Sequence, residues 1–176
     1  NVAGSTITRE SDGVIYTYAG PEIGVASTKA YTAQVATFIL LALYLGGIKG
    51  LLGRREMKNL LNEFEMIPEH MDEILDEAEA IKNCAKKYSK LSCFMYIARG
   101  VNFPNALEGA LKLKEISYIH AEGYGAGEMK HGPIALIDKD FPTFVIALND
   151  SLYEKNISHI HELKVRGGRV IALANE

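Results

Sequence analysis

After Lys90 the chain alternates short apolar runs with helical stretches, and that alternation restricts its fold more than any other feature. Cys93 to Ala98 reads as a buried-type strand, and Arg99-Gly100 as a turn. A helix is expected from about Pro104 to His120, a loop after it, and a strand at Thr143 to Leu148. Ser151 with Glu154 has the spacing of a capping box and opens a further helix, which Gly167-Gly168 ends. Arg169 to Ala174 is the next strand. Strand, helix, strand, helix, strand means βαβ units and a parallel sheet. Such sheets bind ligands at the carboxyl ends of strands, near helix N-termini.

The first half has a different grammar. Val14 to Tyr18 is a β-branched and aromatic run, read as a strand. Ser27 or Thr28 is placed to cap a long helix through about Leu45, with Gly46-Gly47 as its end. Its strongest apolar run, Phe38 to Leu45, is extended by Tyr31 to Thr37 but interrupted at Thr32, Gln34 and Thr37, so it is too short to span a bilayer comfortably and reads as a core helix. Met57, Leu60, Leu61, Phe64 and Ile67 then recur at helical spacing. Pro68 breaks the pattern, and Met71, Ile74, Leu75, Ala78 and Ile81 resume it. Two amphipathic helices folded on each other are expected, with Asp72, Glu73, Asp76 and Glu77 on a solvated face.

Composition narrows the function classes. A hydrophobic fraction of 48% suits a globular core, and a net charge of −3 gives no electrostatic case for nucleic acid or an anionic membrane. Cys84 and Cys93 lack disulfide-framework or metal spacing and read as reduced, mostly buried thiols. No metal-ligand cluster or cofactor motif is visible. A cytoplasmic protein with neither cofactor nor metal is expected.

The stretch Asn105 to Pro133, NALEGALKLKEISYIHAEGYGAGEMKHGP, carries the chemistry. Glu108, Lys112 and Glu115 fall at i, i+4 and i+7 and share one helix face. Asn105 and Glu108 also have the spacing of an N-cap and its N3 partner, and Glu108-Lys112 the spacing of an ordinary surface pair. Gly123, Gly125 and Gly127 allow close backbone approach, and His131 follows. A carboxylate, an ammonium and an imidazole are the parts needed to move protons on a small anionic substrate. His120 reads as structural, and His70, His159 and His161 as surface residues without partners.

Several strings together define a resemblance. GPEIGVASTKAYTAQ at Gly20 to Gln34, ALEGALKLKEISYIHAE at Ala106 to Glu122, GEMKHGPIALI at Gly127 to Ile137 and GSTITRESD at Gly4 to Asp12 resemble the isomerase half of the glutamine–fructose-6-phosphate aminotransferases. The resemblance implies an α/β fold of sugar isomerase (SIS) type, a flavodoxin-like sandwich around a parallel sheet. It implies two partial SIS subdomains, 1–53 and 91–176, joined by a helical connection at 54–90. It implies Glu115 as the base moving a proton between sugar C1 and C2, and Lys112 as a group acting near the sugar hydroxyls. His131 is implied to open the sugar ring across a dimer interface. Glu108 is implied to line the site, and Val25 and Ser27 to contact the sugar.

The implied partners are a sugar-phosphate substrate, an N-terminal glutaminase domain that releases ammonia, and a second copy in a homodimer. Both ends look cut. The family's phosphate-binding loop belongs before Asn1 and its Schiff-base lysine after Glu176, so the segment alone is expected to be inactive. The alternatives are a non-catalytic sugar-phosphate-sensing SIS module, a fructosamine-phosphate deglycase and a purely structural dimerisation domain. Retention of Glu115 and His131 argues against the first.

Overall fold

In the computed structural model, which describes residues 3–175, the apolar run Cys93–Ala98 forms strand β1 at the centre of a parallel sheet. Asn1, Val2 and Glu176, which the expected boundaries 1–53 and 91–176 include, lie outside the described residues. The chain divides into two units between Ile81 and Lys82.

In the second unit, β1 is followed by α6 (Phe103–Ser117), β2 (His120–Gly125), β3 (Thr143–Ile146), α7 (Tyr153–Val165) and β4 (Val170–Leu173). The strand order is β2-β1-β3-β4. Every pairing is parallel, with Cys93 opposite His120, Met95 opposite Thr143 and Thr143 opposite Val170. This is the flavodoxin-like order, with its switch point between β1 and β3.

Alternate residues of β1 serve the two faces. Met95 and Ile97 join Val145, Met129, Phe141 and Leu163 of α7 in one buried cluster. Phe94 packs with Ala110 of α6 and Ala121 of β2, while Ala98 joins Ala106 and Ile146. Tyr96 stacks on Phe144 at a centroid distance of 5.2 Å.

Strand β2 was expected to be a loop, since GYGAG carries no apolar alternation. The glycines serve packing instead. A Cβ on Gly123 would stand 2.8 Å from the Cα of Leu107, so the missing side chain lets α6 lie directly on the strand. The helix also stops earlier than His120. Tyr118 takes a left-handed conformation at φ 60° and donates its N–H to the Lys114 carbonyl, and the chain reverses into β2. His120 is therefore the exposed first residue of a strand. The start of α7 differs in the same way: Asp150 Oδ1 accepts the Leu152 N–H at 2.7 Å, and no Ser151–Glu154 box forms. Gly167 (φ +77°) ends α7 as expected, its N–H donated to the Lys164 carbonyl.

The first unit is helical. It holds α1 (Thr6–Glu10), α2 (Lys29–Ile48), α3 (Arg54–Glu65) and α4 (Ile67–Asp76), and the boundary between units cuts α5 (Ala78–Tyr88). Val14–Tyr18 is no strand: among the described residues it meets no neighbouring strand, and an extended run without a ladder stays irregular. The expected second amphipathic helix is two, α4 and α5, separated at Glu77. Gly46 and Gly47 do not end α2. They make room where the chain doubles back, since a Cβ on either would collide with the side chain of Leu52 or Met57. Gly50, at φ +68°, ends the helix.

Thr28 stands at the N-cap position of α2 as expected, but its side chain makes no capping bond, and Glu22 supplies that bond instead. Its carboxylate accepts the N–H groups of Ala30 at 2.9 Å and Thr28 at 3.2 Å. The Ala30 bond, then that of Thr28, holds the Glu22 carboxyl below its usual range. Helix α2 has no buried residue, so among the described residues it is not a core helix. Its 20 residues include an 18-residue stretch with a mean hydropathy of 1.6, which meets the length and composition of a membrane span and corrects the expectation that it is too short. The core helix of a soluble protein meets the same test. Cys84 and Cys93 are free and half-buried rather than buried.

Candidate functional site

The polar face of α6 is where the structure gathers three of the expected groups, Glu108, Lys112 and Glu115. Ala106 and Ala110 turn inward onto the sheet. Their small side chains seat the helix close to β1 and β2 and leave Glu108, Lys112 and Glu115 on the flank. Asn102, not Asn105, precedes the helix, and Pro104 occupies its first turn, where a missing N–H costs nothing. Glu108 is therefore free of capping duty and turns to Lys112.

Lys112 Nζ lies 3.4 Å from Glu108 Oε1 and donates a short hydrogen bond to Glu115 Oε2. All three side chains are only 20–28% exposed. The bond to Glu115, with a smaller contribution from Glu108, pushes the Lys112 ammonium above its ordinary range. A fixed cation is thus held against a carboxylate that remains open to solvent on one side. This arrangement presents a carboxylate that can accept a proton from a carbon acid placed against it.

His131 ends a short 3₁₀ turn, Glu128–His131, and is exposed. Gly132 follows at φ +142°, a conformation open to glycine alone, and a second 3₁₀ turn runs Pro133–Leu136. Met129 anchors the first turn in the core. Val25 and Ser27 lie in the other unit, just before α2; Val25 is almost fully exposed and Ser27 half-buried.

His159, expected on the surface, is a buried member of a polar chain. Arg99, at the end of β1, donates to His159 Nε2 through Nη2 at 2.6 Å. The ring's other nitrogen, Nδ1, then carries the proton and faces Glu162 Oε2 at 3.3 Å. Glu162 in turn receives Lys130 Nζ at 2.6 Å. Burial lowers the His159 pKa, opposed by Glu162 and reinforced by Arg99 and Lys130, so the ring is held neutral. Lys130 lowers that of Glu162. The i, i+3 spacing of His159 and Glu162 was visible in the sequence; the distant partners Arg99 and Lys130 were not. Among the described residues no group of His, Cys, Asp and Glu is placed to hold a metal ion.

A parallel β2-β1-β3-β4 sheet with helices on both faces defines a class, and the family model for the SIS domain matches residues 91–176. That segment is a SIS domain. Over its whole length the chain is 53% identical to the isomerising glutamine–fructose-6-phosphate aminotransferase of Thermus thermophilus and 55% identical to that of Chlorobaculum tepidum. It spans 29% and 28% of those proteins. The solved C-terminal domain of glucosamine-fructose-6-phosphate aminotransferase from Francisella tularensis matches 99% of this chain at 40% identity, with a TM-score of 0.95. The chain covers 49% of that domain. Its sequence is that of an isomerase-domain segment of the glutamine–fructose-6-phosphate aminotransferase family.

Proposed function

We propose that this chain supplies the proton-transfer part of the site in an aminotransferase that makes glucosamine 6-phosphate from fructose 6-phosphate and glutamine-derived ammonia. The carrying observation is the flank of α6, where Lys112 is shared between Glu108 and Glu115. Glu115 takes a proton from sugar C1 and returns it at C2. One carboxylate can serve both carbons because they are adjacent on one face of an open-chain sugar. Lys112 holds the Glu115 carboxylate in place through its short hydrogen bond and stands near the hydroxyls. Glu108 holds Lys112 from the other side and lines the site. His131 serves the ring oxygen during ring opening and acts in the partner protomer of a homodimer. Val25 and Ser27 contact the sugar from the segment before α2.

The remaining parts belong to the rest of the protein, of which this chain is less than a third in its relatives. They are the phosphate clamp, the Schiff-base lysine and an N-terminal glutaminase domain. Residues 1–53 are the end of a first SIS subdomain, and the apolar surface of α2 is covered by its remainder. The protein works in the cytoplasm without cofactor or metal, and the segment alone has no turnover.

The test is a coupled assay on the full-length protein, following glucosamine 6-phosphate from fructose 6-phosphate and glutamine. Wild type forms product, and Glu115→Gln loses on the order of a hundredfold or more in rate. A well-folded wild type without product, or a Glu115→Gln variant at full rate, rejects the reading.

A further inference from the structure

Helix α7 takes no part in the proposed proton transfer, yet it holds the chain on both sides of His131. On the N-terminal side, Glu162 binds Lys130, the residue before His131. On the C-terminal side, Arg166 Nη1, one turn further along, donates to the carbonyl of Ile134 at 3.3 Å. Behind Glu162 stand His159 and Arg99, which tie α7 to the end of β1. The Arg99 guanidinium also lies 3.5 Å from the place a Cβ would take on Gly127, directly before the turn that carries His131. Met129, inside that turn, is fully buried in the cluster that includes Leu163 of α7.

Such a frame has a physical purpose. The turn Glu128–His131 is one 3₁₀ turn long and is followed by a glycine at φ +142°. A turn this short cannot fix its own direction. An exposed imidazole on it would sample many orientations, and a misplaced acid–base group forfeits rate steeply. The polar chain opposes that freedom from a buried anchor, His159, through Glu162 to Lys130, whose side chain is 56% exposed. His159 accepts from Arg99 and donates to Glu162 only while its ring is neutral, the form its burial favours. The groups facing it are Arg99 from β1, Glu162 from its own helix and, beyond Glu162, Lys130 from the turn.

We propose that Glu162, backed by His159 and Arg99 and joined by Arg166, is the positioning residue that sets His131 for its role at the sugar ring. The inference rests on the reading of His131 given under the proposed function. Glu162 does not touch substrate; it acts through Lys130 and the turn.

A double-mutant cycle on the full-length enzyme tests it, with product formation from fructose 6-phosphate and glutamine as the readout. Glu162→Gln lowers kcat on the order of tenfold or more and moves the KM for fructose 6-phosphate less. In a His131→Asn background the same substitution costs nothing further, because the group it positions is gone. Lys130→Met cuts the same tether from the exposed side and gives the same pattern, which guards against a Glu162 variant that fails to fold. Wild-type kcat in Glu162→Gln and Lys130→Met, or losses that multiply with that of His131→Asn, overturns the inference while leaving the proposed function intact. Full activity in His131→Asn itself strikes at the reading of His131, and the inference falls with it.

Discussion

The two units of this chain have similarly apolar sequences and opposite fates. In the second, β1, β2, β3, α6 and α7 bury side chains on one another, and every buried hydrophobic residue of the described chain lies between Phe94 and Leu163. In the first, no described residue is buried, although α2 is the most apolar helix of the molecule. The difference is not one of composition. A βαβ unit carries within about 30 residues both the surface to be covered and the helix that covers it. A helix apolar all round needs neighbours on every side, and among the helices and strands of the described residues α2 has contact chiefly with α3.

The largest test of this contrast is a pair of truncations. Met95→Ala, at a fully buried position of β1, costs about 2–5 kcal/mol in a urea titration. Leu40→Ala in α2, which is 42% exposed, costs under about 1 kcal/mol in the same 176-residue chain. Equal losses would break the comparison.

Glycines sharpen it at the next level. Gly123→Ala forces a Cβ against the backbone of Leu107, which cannot yield as a flexible side chain would, and costs about 1–3 kcal/mol. Gly13→Ala meets nothing within 4 Å and changes stability by less than about 0.5 kcal/mol. Because α6 bears Glu115, Gly123→Ala also lowers the activity of the full-length protein, whereas Gly13→Ala does not act through that helix.

The smallest effect is on pH. His159 and Glu162 both have folded pKa values below their ordinary ones. A group depressed in this way contributes stability that is complete above its unfolded pKa and is lost as pH falls toward the folded value. The second unit therefore weakens first below about pH 6.5, from His159, and again below about pH 4.3, from Glu162. His159→Gln removes the upper step. Stability that rises as pH falls from 7 to 5 would contradict the buried neutral ring.

Part of the candidate site's geometry was legible because it is local. Glu108, Lys112 and Glu115 meet through helical spacing alone, so their sequence positions already placed them together. The strand β2 was not legible: its glycines read as loop, and only the approach of α6 explains why a side chain cannot stand at Gly123. The Glu22 cap was hidden for a related reason, since the acceptor lies eight residues from the Ala30 N–H it receives.

The sequence by itself determined the alternation that makes a parallel α/β sheet, the polar flank of α6 and the glycine after His131, because each depends on neighbours within a few residues. Only the tertiary structure decided that His159 is buried and neutral between Arg99 and Glu162, and that Lys130 closes the chain of bonds beside His131. Arg99 and His159 are 60 residues apart along the chain and Lys130 and Glu162 lie in different elements, brought together by packing that no local pattern encodes.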